Sequence, residues 1–578
     1  MQTNLSVTSV AEIRTDKSPT LEAWLYHFFI ENNIEYLMNS SLVASPEQLR
    51  FMVALNDDQV YLPCDDALFL KMLQQDDKVI HKHYREGWRF IANLVASYNL
   101  GHADYRRIIA FCRTRYLSYL REKKVLPSRM IKRLLSIVLS QCGVRDPLAE
   151  RKALANKKAL EFLASPALQE KLYTPPDISA VSKSMNQLRM TLDMVEIKRL
   201  MALGSTPGMY KGAASLEDAL NRLDSIDDDT SLLQTAFARG GGGRKKILFV
   251  VARSGWSVFD VTMAKSLVRQ GHQVILSFKD AFYFNAPTLW DVETDPVLQS
   301  LLSEAHILDA SSISKNQLLR LLREHKLLVI SDGTSEQINL YRASVTFARA
   351  WKESDLVITS GIRQYTVFHG CSHQFTRDIF SFWLKEDQSV GYAFKPRAEW
   401  STKFAEQDLV AKAAEIIASM QQAKAKGQKV MFYSAIIGSV PGQTSTAIDL
   451  VNSFVGYLRK NLENTFIINP AEHFVEGMDG DDLMYMWERV QRSGLLDVWR
   501  FQTSEDIEKS FAMKKSKVPA TWLGKDSTFS TGCTKEMVIA LDVQKTSPEL
   551  QILGPRPELF FRRRDYGVGK YYDATLKG

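Results

Sequence analysis

The sequence has few cysteines and lacks long apolar runs. Five cysteines are scattered along its 578 residues, and none of them forms a CxxC pair: Cys64, Cys112, Cys142, Cys371 and Cys533. This pattern argues against a disulfide framework or a structural zinc site, so we expect a reducing, cytoplasmic compartment. No stretch approaches the roughly 18 uncharged apolar residues of a membrane span. The N-terminus lacks the basic and apolar segments of a secretory signal, and we expect residues 1–19 to be a disordered lead.

Acidic residues are scarce in one region, although the composition as a whole is that of a globular protein. The formal net charge is +7, but fourteen Lys/Arg and three acidic residues lie between Lys78 and Arg133. This excess predicts a surface for nucleic acid or an acidic partner across residues 78–133. The alternative is that these charges are the solvated faces of amphipathic helices.

The first part of the chain is predicted to be helical. Apolar residues recur at three- and four-residue spacing in the segments 20–33, 46–56, 81–99, 103–124 and 127–141. We therefore expect an all-helical domain over residues 20–203. Loop-like composition follows, including the run from Arg239 to Arg244 with its four consecutive glycines. This predicts a flexible linker over residues 204–244, with a domain boundary near residue 240.

Residues 245–578 alternate apolar strand-like runs with helical segments. The predicted strands are 247–252, 273–278, 305–308, 327–331, 356–360, 430–434, 465–469 and 498–501. Such alternation is typical of a doubly wound, three-layer α/β/α domain with a mostly parallel sheet. The fold class is therefore α/β, with an all-helical domain in front of it.

The centre of this pattern is the stretch from Lys245 to Gly271. An apolar strand, Ile247 to Ala252, meets a break at Arg253-Ser254-Gly255, and a helical pattern follows. This arrangement places backbone N–H groups and a helix N-terminus at the carboxyl end of a parallel strand, where α/β proteins commonly bind anions. It predicts the position of a ligand site without specifying its chemistry.

Several segments resemble the damage-control phosphatases, a family whose metal-binding domain has also been linked to acidic-residue methylation. They are the Ser-Gly loop followed by Phe259-Asp260, the segment Asn285–Asp291, the segment Leu327–Gly333 and the segment Ser354–Gly361. The resemblance covers about residues 245–400. It implies an α/β/α fold behind a helical domain, with the site at the strand ends.

The chain departs from the family at the metal-binding motifs. Ala252 and Arg253 stand where the family has the Asp-Asn pair that binds the divalent metal, and Ala286 replaces a helping aspartate. Ser360 occupies the position of the lysine that would meet substrate phosphate. Hard divalent cations need oxygen ligands, and a guanidinium presents the wrong charge to them. A fixed arginine can instead hold a phosphate or carboxylate.

These departures predict a divergent, metal-free relative that binds a phosphorylated or anionic small molecule or a protein partner. The expected ligand-binding residues are Arg253, Ser254, Gly255, Asp260, Asn285, Asp291, Asp332, Ser360 and Gly361. The alternative is an active metal-dependent phosphoric monoester hydrolase, in which Asp260, Asn285 and Asp291 hold Mn²⁺, Mg²⁺, Co²⁺ or Ni²⁺. Whether the chain is an enzyme, and which residues would be catalytic, stays open at this point.

The segment from about residue 400 to 578 is less recognisable. The loop from Gly438 to Ser445 lacks the Gly-Lys-Ser/Thr of a phosphate-binding P-loop, which gives nucleotide binding little support. Cys533 lies in a stretch rich in hydroxyl groups, but no histidine is near it in sequence to activate the thiol.

Overall fold

The structure is a computed structural model that describes residues 19–34, 49–55, 60–98, 100–176, 184–239, 243–308, 315–401, 403–404, 406–440, 443–473, 478 and 480–565. The predicted lead of residues 1–19 lies outside this part, apart from its last residue. The chain forms two compact units, Met1–Glu399 and Trp400–Gly578, called here the first and second unit.

Helices dominate the first half of the first unit, as the periodicity predicts. They are α1 (Pro19–Asn32), α2 (Asp66–Leu73), α3 (Asp77–Ser97), α4 (His102–Glu122), α5 (Pro127–Cys142), α6 (Ala149–Leu163), α7 (Pro166–Tyr173), α8 (Met185–Gly204), α9 (Leu216–Asp224) and α10 (Ser231–Ala238). Their ends carry local signals: Asp76 caps α3 by accepting from the Val79 N–H, and Pro127 opens α5.

A seven-stranded sheet forms the centre of the first unit. Its strands are β2 (Lys246–Val250), β3 (Gln273–Phe278), β4 (His306–Ile307), β5 (Leu327–Ser331), β6 (Leu356–Ser360), β8 (Asp378–Leu384) and β9 (Val390–Lys395). The spatial order is β4-β5-β3-β2-β6-β8-β9, and all neighbours are parallel except the β8–β9 pair. The predicted α/β class with a mostly parallel sheet is confirmed.

The remaining helices of this unit connect the strands. They are α11 (Trp256–Arg269), α12 (Leu289–Thr294), α13 (Pro296–Leu301), α14 (Lys315–Glu324), α15 (Val345–Glu353) and α16 (Ile362–His369).

Strand β2 is buried on both faces, and its alternating side chains enter two different cores. Ile247 and Phe249 pack in a cluster with residues of α6 to α11. Leu248 and Val250 pack in another cluster with residues of α1 to α5 and α15. The N-terminal helices therefore cover both faces of the sheet and share its cores.

The boundary expected near residue 240 differs from the one observed. Residues 204–239 are not a loop-like linker, because α9 and α10 lie there and Phe237 is buried in the same cluster as β2. The four-glycine run lies largely outside the described residues, since only Gly243 of the four is described. The division observed along the chain falls between Glu399 and Trp400.

One further local prediction was wrong, and one pair of strands was missed. The segment 46–56 is not a helix throughout, because β1 (Val53–Ala54) pairs there with β7 (Gln374–Phe375). The antiparallel pair of β8 and β9 was not predicted. Both errors involve strands whose partners are set by tertiary contacts and not by local periodicity.

The second unit has its own parallel sheet, with strand order β11-β10-β12-β13. These strands are β10 (Lys429–Ser434), β11 (Thr465–Ile468), β12 (Val498–Phe501) and β13 (Gln551–Leu553). Its helices are α17 (Glu406–Ala425), α18 (Thr444–Asn461), α19 (Gly480–Gln491), α20 (Ser504–Met513), α21 (Thr531–Thr546) and α22 (Pro557–Asp565). Across the described part of the chain, no helix combines the length and apolarity that crossing a membrane requires.

Candidate functional site

A cavity of about 370 Å³ lies at the carboxyl ends of β2, β3, β5 and β6 in the first unit. Parallel strands bring these ends to one edge of the sheet, where the loops that follow them meet. The walls are completed by α3, by Arg151 of α6, by Tyr210 and Lys211, and by residues 283–286. The predicted position of the site at the strand ends therefore coincides with a formed cavity.

The loop after β2 is held in place by backbone hydrogen bonds. Ser254 N donates to the Asn285 carbonyl oxygen at 2.8 Å, and Gly255 N donates to Asn156 Oδ1 at 2.5 Å. Gly255 has φ of +85°, and a Cβ there would lie 2.7 Å from the Met209 carbonyl oxygen. This position needs glycine, because both the backbone conformation and the close approach exclude a side chain.

Arg253 is the residue of this loop that reaches the cavity. Its guanidinium lies over two aromatic rings, 4.9 Å from the Tyr210 centroid and 5.6 Å from the Trp256 centroid. No carboxylate among the described residues forms an ion pair with it. Burial lowers the pKa of Arg253, and the neighbouring Arg363 guanidinium lowers it further. The cavity thus contains a partly desolvated cation that is in contact with tyrosine and tryptophan side chains and with no described carboxylate.

The one acidic residue among the described residues lining the cavity is Asp332. Its carboxylate accepts from Lys279 Nζ at 2.6 Å and from Thr334 N at 2.7 Å. Lys279 also donates to Thr334 Oγ1 at 2.9 Å. These contacts fix Asp332 and neutralise it within the protein.

A second arginine, Arg363, faces the cavity from the first turn of α16, which follows β6. Arg363 donates to the Tyr283 hydroxyl at 3.4 Å, and its guanidinium lies 5.3 Å from the Phe90 ring centroid. Two predicted residues, Ser360 and Gly361, line the cavity beside it. The Gly361 N–H is already used, because it donates to the Phe382 carbonyl oxygen at 2.8 Å.

Asn285 also lines the cavity, as predicted for a ligand-orienting amide. Its Oδ1 atom is buried and has no hydrogen-bond partner among the described residues. A buried polar atom without a partner is costly, so this oxygen is available to a donor on a ligand.

Asp260 lies behind the loop and is absent from the cavity lining. It is 1% exposed and accepts from Ala252 N at 2.9 Å. Burial raises its pKa to about 8, and the hydrogen bond from Ala252 opposes this rise only in part. The Asp260 side chain fixes the backbone just after β2 and does not line the cavity.

Asp291 is likewise absent from the lining. It lies at the start of α12, where it accepts from Thr288 N at 2.7 Å in a reciprocal capping box. It also forms an ion pair with Lys152 of α6, whose ammonium group is 2.5 Å from Asp146 Oδ2. The ligand-binding role expected for Asp291 is therefore not supported by its contacts, which are structural.

Sequence reasoning missed Lys152 and Asn156, which lie four residues apart on one face of α6. Asn156 accepts from Gly255 N, and its Nδ2 donates to Asp295 Oδ2 at 2.7 Å. Both side chains are buried, at 1% and 0% exposure. A lysine and an asparagine at helical spacing were the available signal, but their partners Gly255, Asp291 and Asp295 are about 100 residues or more away in the chain.

The site residues therefore fall into two groups. Arg253, Asn285, Asp332, Ser360 and Gly361 line the cavity, whereas Ser254, Gly255, Asp260 and Asp291 support the surrounding loops. Within the described residues, no three His, Cys, Asp or Glu side chains are grouped so as to hold a metal ion.

Comparisons with known proteins agree with the resemblance seen in the sequence. The family model of the damage-control phosphatase ARMT1-like domain matches residues 95–391. The crystal structure of a DUF89 family protein from Pyrococcus horikoshii is similar over 52% of this chain and 90% of that chain, with 16% identity and a TM-score of 0.38. None of the curated proteins compared with the chain matches it significantly. Because the family model spans more than half of its 578 residues, the chain belongs to the damage-control phosphatase ARMT1-like family.

Proposed function

We propose that the cavity of the first unit binds a phosphorylated or otherwise anionic small molecule without a metal ion. The observation that carries this proposal is the guanidinium of Arg253, which lies in the cavity over two rings and forms no ion pair with a described carboxylate. A partly desolvated cation of this kind is stabilised by an anion that can accept two parallel hydrogen bonds.

The charge of the whole lining supports an anionic ligand. Among the described residues, five cationic side chains line the cavity against the single carboxylate of Asp332, and they are Arg151, Lys211, Arg253, Lys279 and Arg363. Since Lys279 already pairs with Asp332, the other four cations create a positive potential at the strand ends. The volume of about 370 Å³ lies within the range of small-molecule sites.

The same residues fit a divalent metal poorly. Asp260 accepts a backbone hydrogen bond behind the loop, and Asp291 pairs with Lys152, so neither carboxylate is presented to the cavity. Hard cations require several oxygen ligands, and arginines nearby repel them. The Oδ1 atom of Asn285 is the remaining unpartnered oxygen of the predicted metal set.

Hydrolysis assays test this proposal directly. The purified protein would be incubated with a panel of sugar phosphates and with p-nitrophenyl phosphate, each with Mn²⁺, Co²⁺ or Ni²⁺. We expect no metal-dependent turnover above the background of the metal salt. Robust metal-dependent release of phosphate would contradict metal-free binding.

The second candidate is an active metal-dependent hydrolase with shifted ligands, and the unpartnered amide oxygen of Asn285 favours it. In this case Asp260→Asn and Asn285→Leu would each abolish the metal-dependent turnover. The matched control is Gln337→Leu, which changes another amide of the cavity lining. Turnover that persists in Asp260→Asn would remove Asp260 from the proposed ligand set.

A further inference from the structure

Arg363, in the first turn of α16, is a second cation of the cavity that pairs with no described carboxylate. It is partly buried, and its one described hydrogen bond is the 3.4 Å contact with the Tyr283 hydroxyl. Its guanidinium lies 5.3 Å from the Phe90 ring centroid and 5.7 Å from the Tyr283 ring centroid. The two rings fix the position of this cation, while most of its N–H donors have no acceptor among the described residues.

The N-terminal end of α16 faces the cavity together with Arg363. Residues 360–364 all line it. The helix begins at Ile362 after Gly361, and no side chain caps it. The first backbone N–H groups of a helix lack intrahelical acceptors and favour a nearby anion. They therefore add to the positive charge that Arg363 brings to this part of the cavity.

A buried hydroxyl without a partner lies on the same side of the cavity as the rings around Arg363. Ser277 of β3 lines the cavity and is 2% exposed, and its Oγ atom has no hydrogen-bond partner among the described residues. Ile275, two residues earlier and so on the same face of β3, belongs to the core cluster that contains Tyr283. Because an unpaired buried polar atom is costly, the Ser277 hydroxyl is a donor for an oxygen of a ligand.

Arg253 approaches the cavity from the other face of the sheet. Trp256, one of the two rings beneath it, belongs to the core of α6 to α11, and Tyr210 packs against that core. Tyr283, which contacts Arg363, belongs to the core of α1 to α5 and α15. These cores lie on opposite faces of β2, so the two arginines occupy opposite sides of the sheet edge.

The two arginines are close enough to affect each other. The charge of Arg363 lowers the pKa of Arg253, in addition to the larger effect of burial. Like charges in one cavity repel each other, and neither guanidinium has an acidic partner among the described residues. A ligand with one anionic group at each arginine would remove this repulsion, whereas a single anion at Arg253 would leave Arg363 uncompensated.

We infer that the ligand of the cavity carries two anionic groups, one held by Arg253 and the other by Arg363, the start of α16 and the Ser277 hydroxyl. This inference rests on the proposed function, which assigns the first anion to Arg253. Both groups belong to one small molecule, since both arginines line the same cavity of about 370 Å³. Phosphate and carboxylate groups share the required chemistry, because each accepts parallel hydrogen bonds from a guanidinium.

Calorimetric titration of the full chain in EDTA with matched pairs of anions tests this inference. Methylenediphosphonate is compared with methylphosphonate, and malonate with acetate, because the second compound of each pair lacks one anionic group. In at least one pair, the compound with two anionic groups should bind at least about tenfold more tightly, since its second contact is made within one bound molecule. The pair that shows this gain identifies the anion as phosphate-like or as a carboxylate.

Three variants separate a second binding position from a general effect of charge. Arg363→Met should reduce the gain to below about twofold and leave binding of the compound with one anionic group nearly unchanged. Ser277→Ala should also reduce the gain, and it removes a hydroxyl that supports no described hydrogen bond of the fold. Arg222→Met, outside the cavity lining, should keep the full gain. Thermal unfolding shows whether each variant is folded.

Equal binding of the two compounds in both pairs would overturn the inference, and so would a gain that persists in Arg363→Met. A gain lost equally in Arg222→Met would overturn it as well. In these three cases the compounds with one anionic group still bind, and the proposed function stands. If none of the four anions binds in EDTA, the proposed function itself fails and this inference falls with it.

Discussion

Lys152 of α6 forms a buried ion pair with Asp291, a carboxylate at a position matched by the family motif. The two side chains are 2% and 7% exposed, and the same ammonium group pairs with Asp146. A residue of the N-terminal helices thus provides the positive charge next to this carboxylate. This contact links the helical part of the first unit to the loop that leads into α12.

Replacing Lys152 with methionine should destabilise the first unit by roughly 3–5 kcal/mol, because two buried carboxylates lose their shared partner. Urea unfolding measures this loss. The control is Lys171→Met, which removes a more exposed ion pair with Asp224 and should cost below about 1 kcal/mol. Similar losses in both variants would show that the buried pair is not organised as described.

The sequence predicts much of the sheet because its strands are continuous apolar runs. The strands at 273–278, 327–331, 356–360 and 498–501 match the prediction at both ends. The missed strands Asp378–Leu384 and Val390–Lys395 pair with each other in antiparallel register around a turn at Gln388, which has φ of +65°. Nothing in the apolar periodicity distinguishes that turn from a loop between helices.

The site was predictable only where it follows the strands. Arg253 and Asn285 come directly from loops at strand ends, and both line the cavity. Tyr210 and Phe90 come from the helical part and reach the same cavity through tertiary packing. The sequence offers no local signal for such contacts, which is why the helices appeared to be a separate domain.

Gly255→Ala should destabilise the first unit by more than about 2 kcal/mol. The change introduces a Cβ 2.7 Å from a backbone oxygen and strains a backbone with φ of +85°. Gly271→Ala is the matched control, since Gly271 also has positive φ, at +96°, but its Cβ would meet nothing within 4 Å. Both variants strain the backbone, but only Gly255→Ala adds a steric clash. The difference between their thermal unfolding midpoints therefore measures the cost of the clash. Equal destabilisation would contradict the packing of this loop.

Asp260→Asn should change how stability depends on pH. Asp260 ionises near 3.8 in the unfolded chain, whereas burial raises its pKa in the folded protein to about 8. Between these values unfolding releases a proton. The free energy of unfolding of the wild type therefore falls, relative to that of the variant, by up to about 1.4 kcal/mol per pH unit as pH rises. Denaturation midpoints at pH 4 to 8 measure the difference, and Glu304→Gln on the surface is the control. Parallel pH profiles for the wild type and Asp260→Asn would show that Asp260 is not buried and protonated.

Fragments of the chain should fold according to the observed division. Residues 1–399 contain the sheet and the helices on both of its faces, so this fragment should be soluble with cooperative unfolding. Residues 245–399 lack α1 to α10, which complete the cores on both faces of the sheet, and should expose apolar surface and aggregate. Size-exclusion chromatography and circular dichroism compare the two fragments. A folded, monomeric 245–399 fragment would support the boundary expected near residue 240.

Calorimetric titration of the protein with inorganic phosphate, in the presence of EDTA, tests the central claim most directly. We predict that the wild type binds phosphate without a metal, and that Arg253→Met binds it at least about tenfold more weakly, because a charge-assisted hydrogen bond contributes roughly 1.5–3 kcal/mol. Arg222→Met, outside the cavity lining, should bind like the wild type. Binding that requires a divalent cation, or that is unchanged in Arg253→Met, would contradict the account.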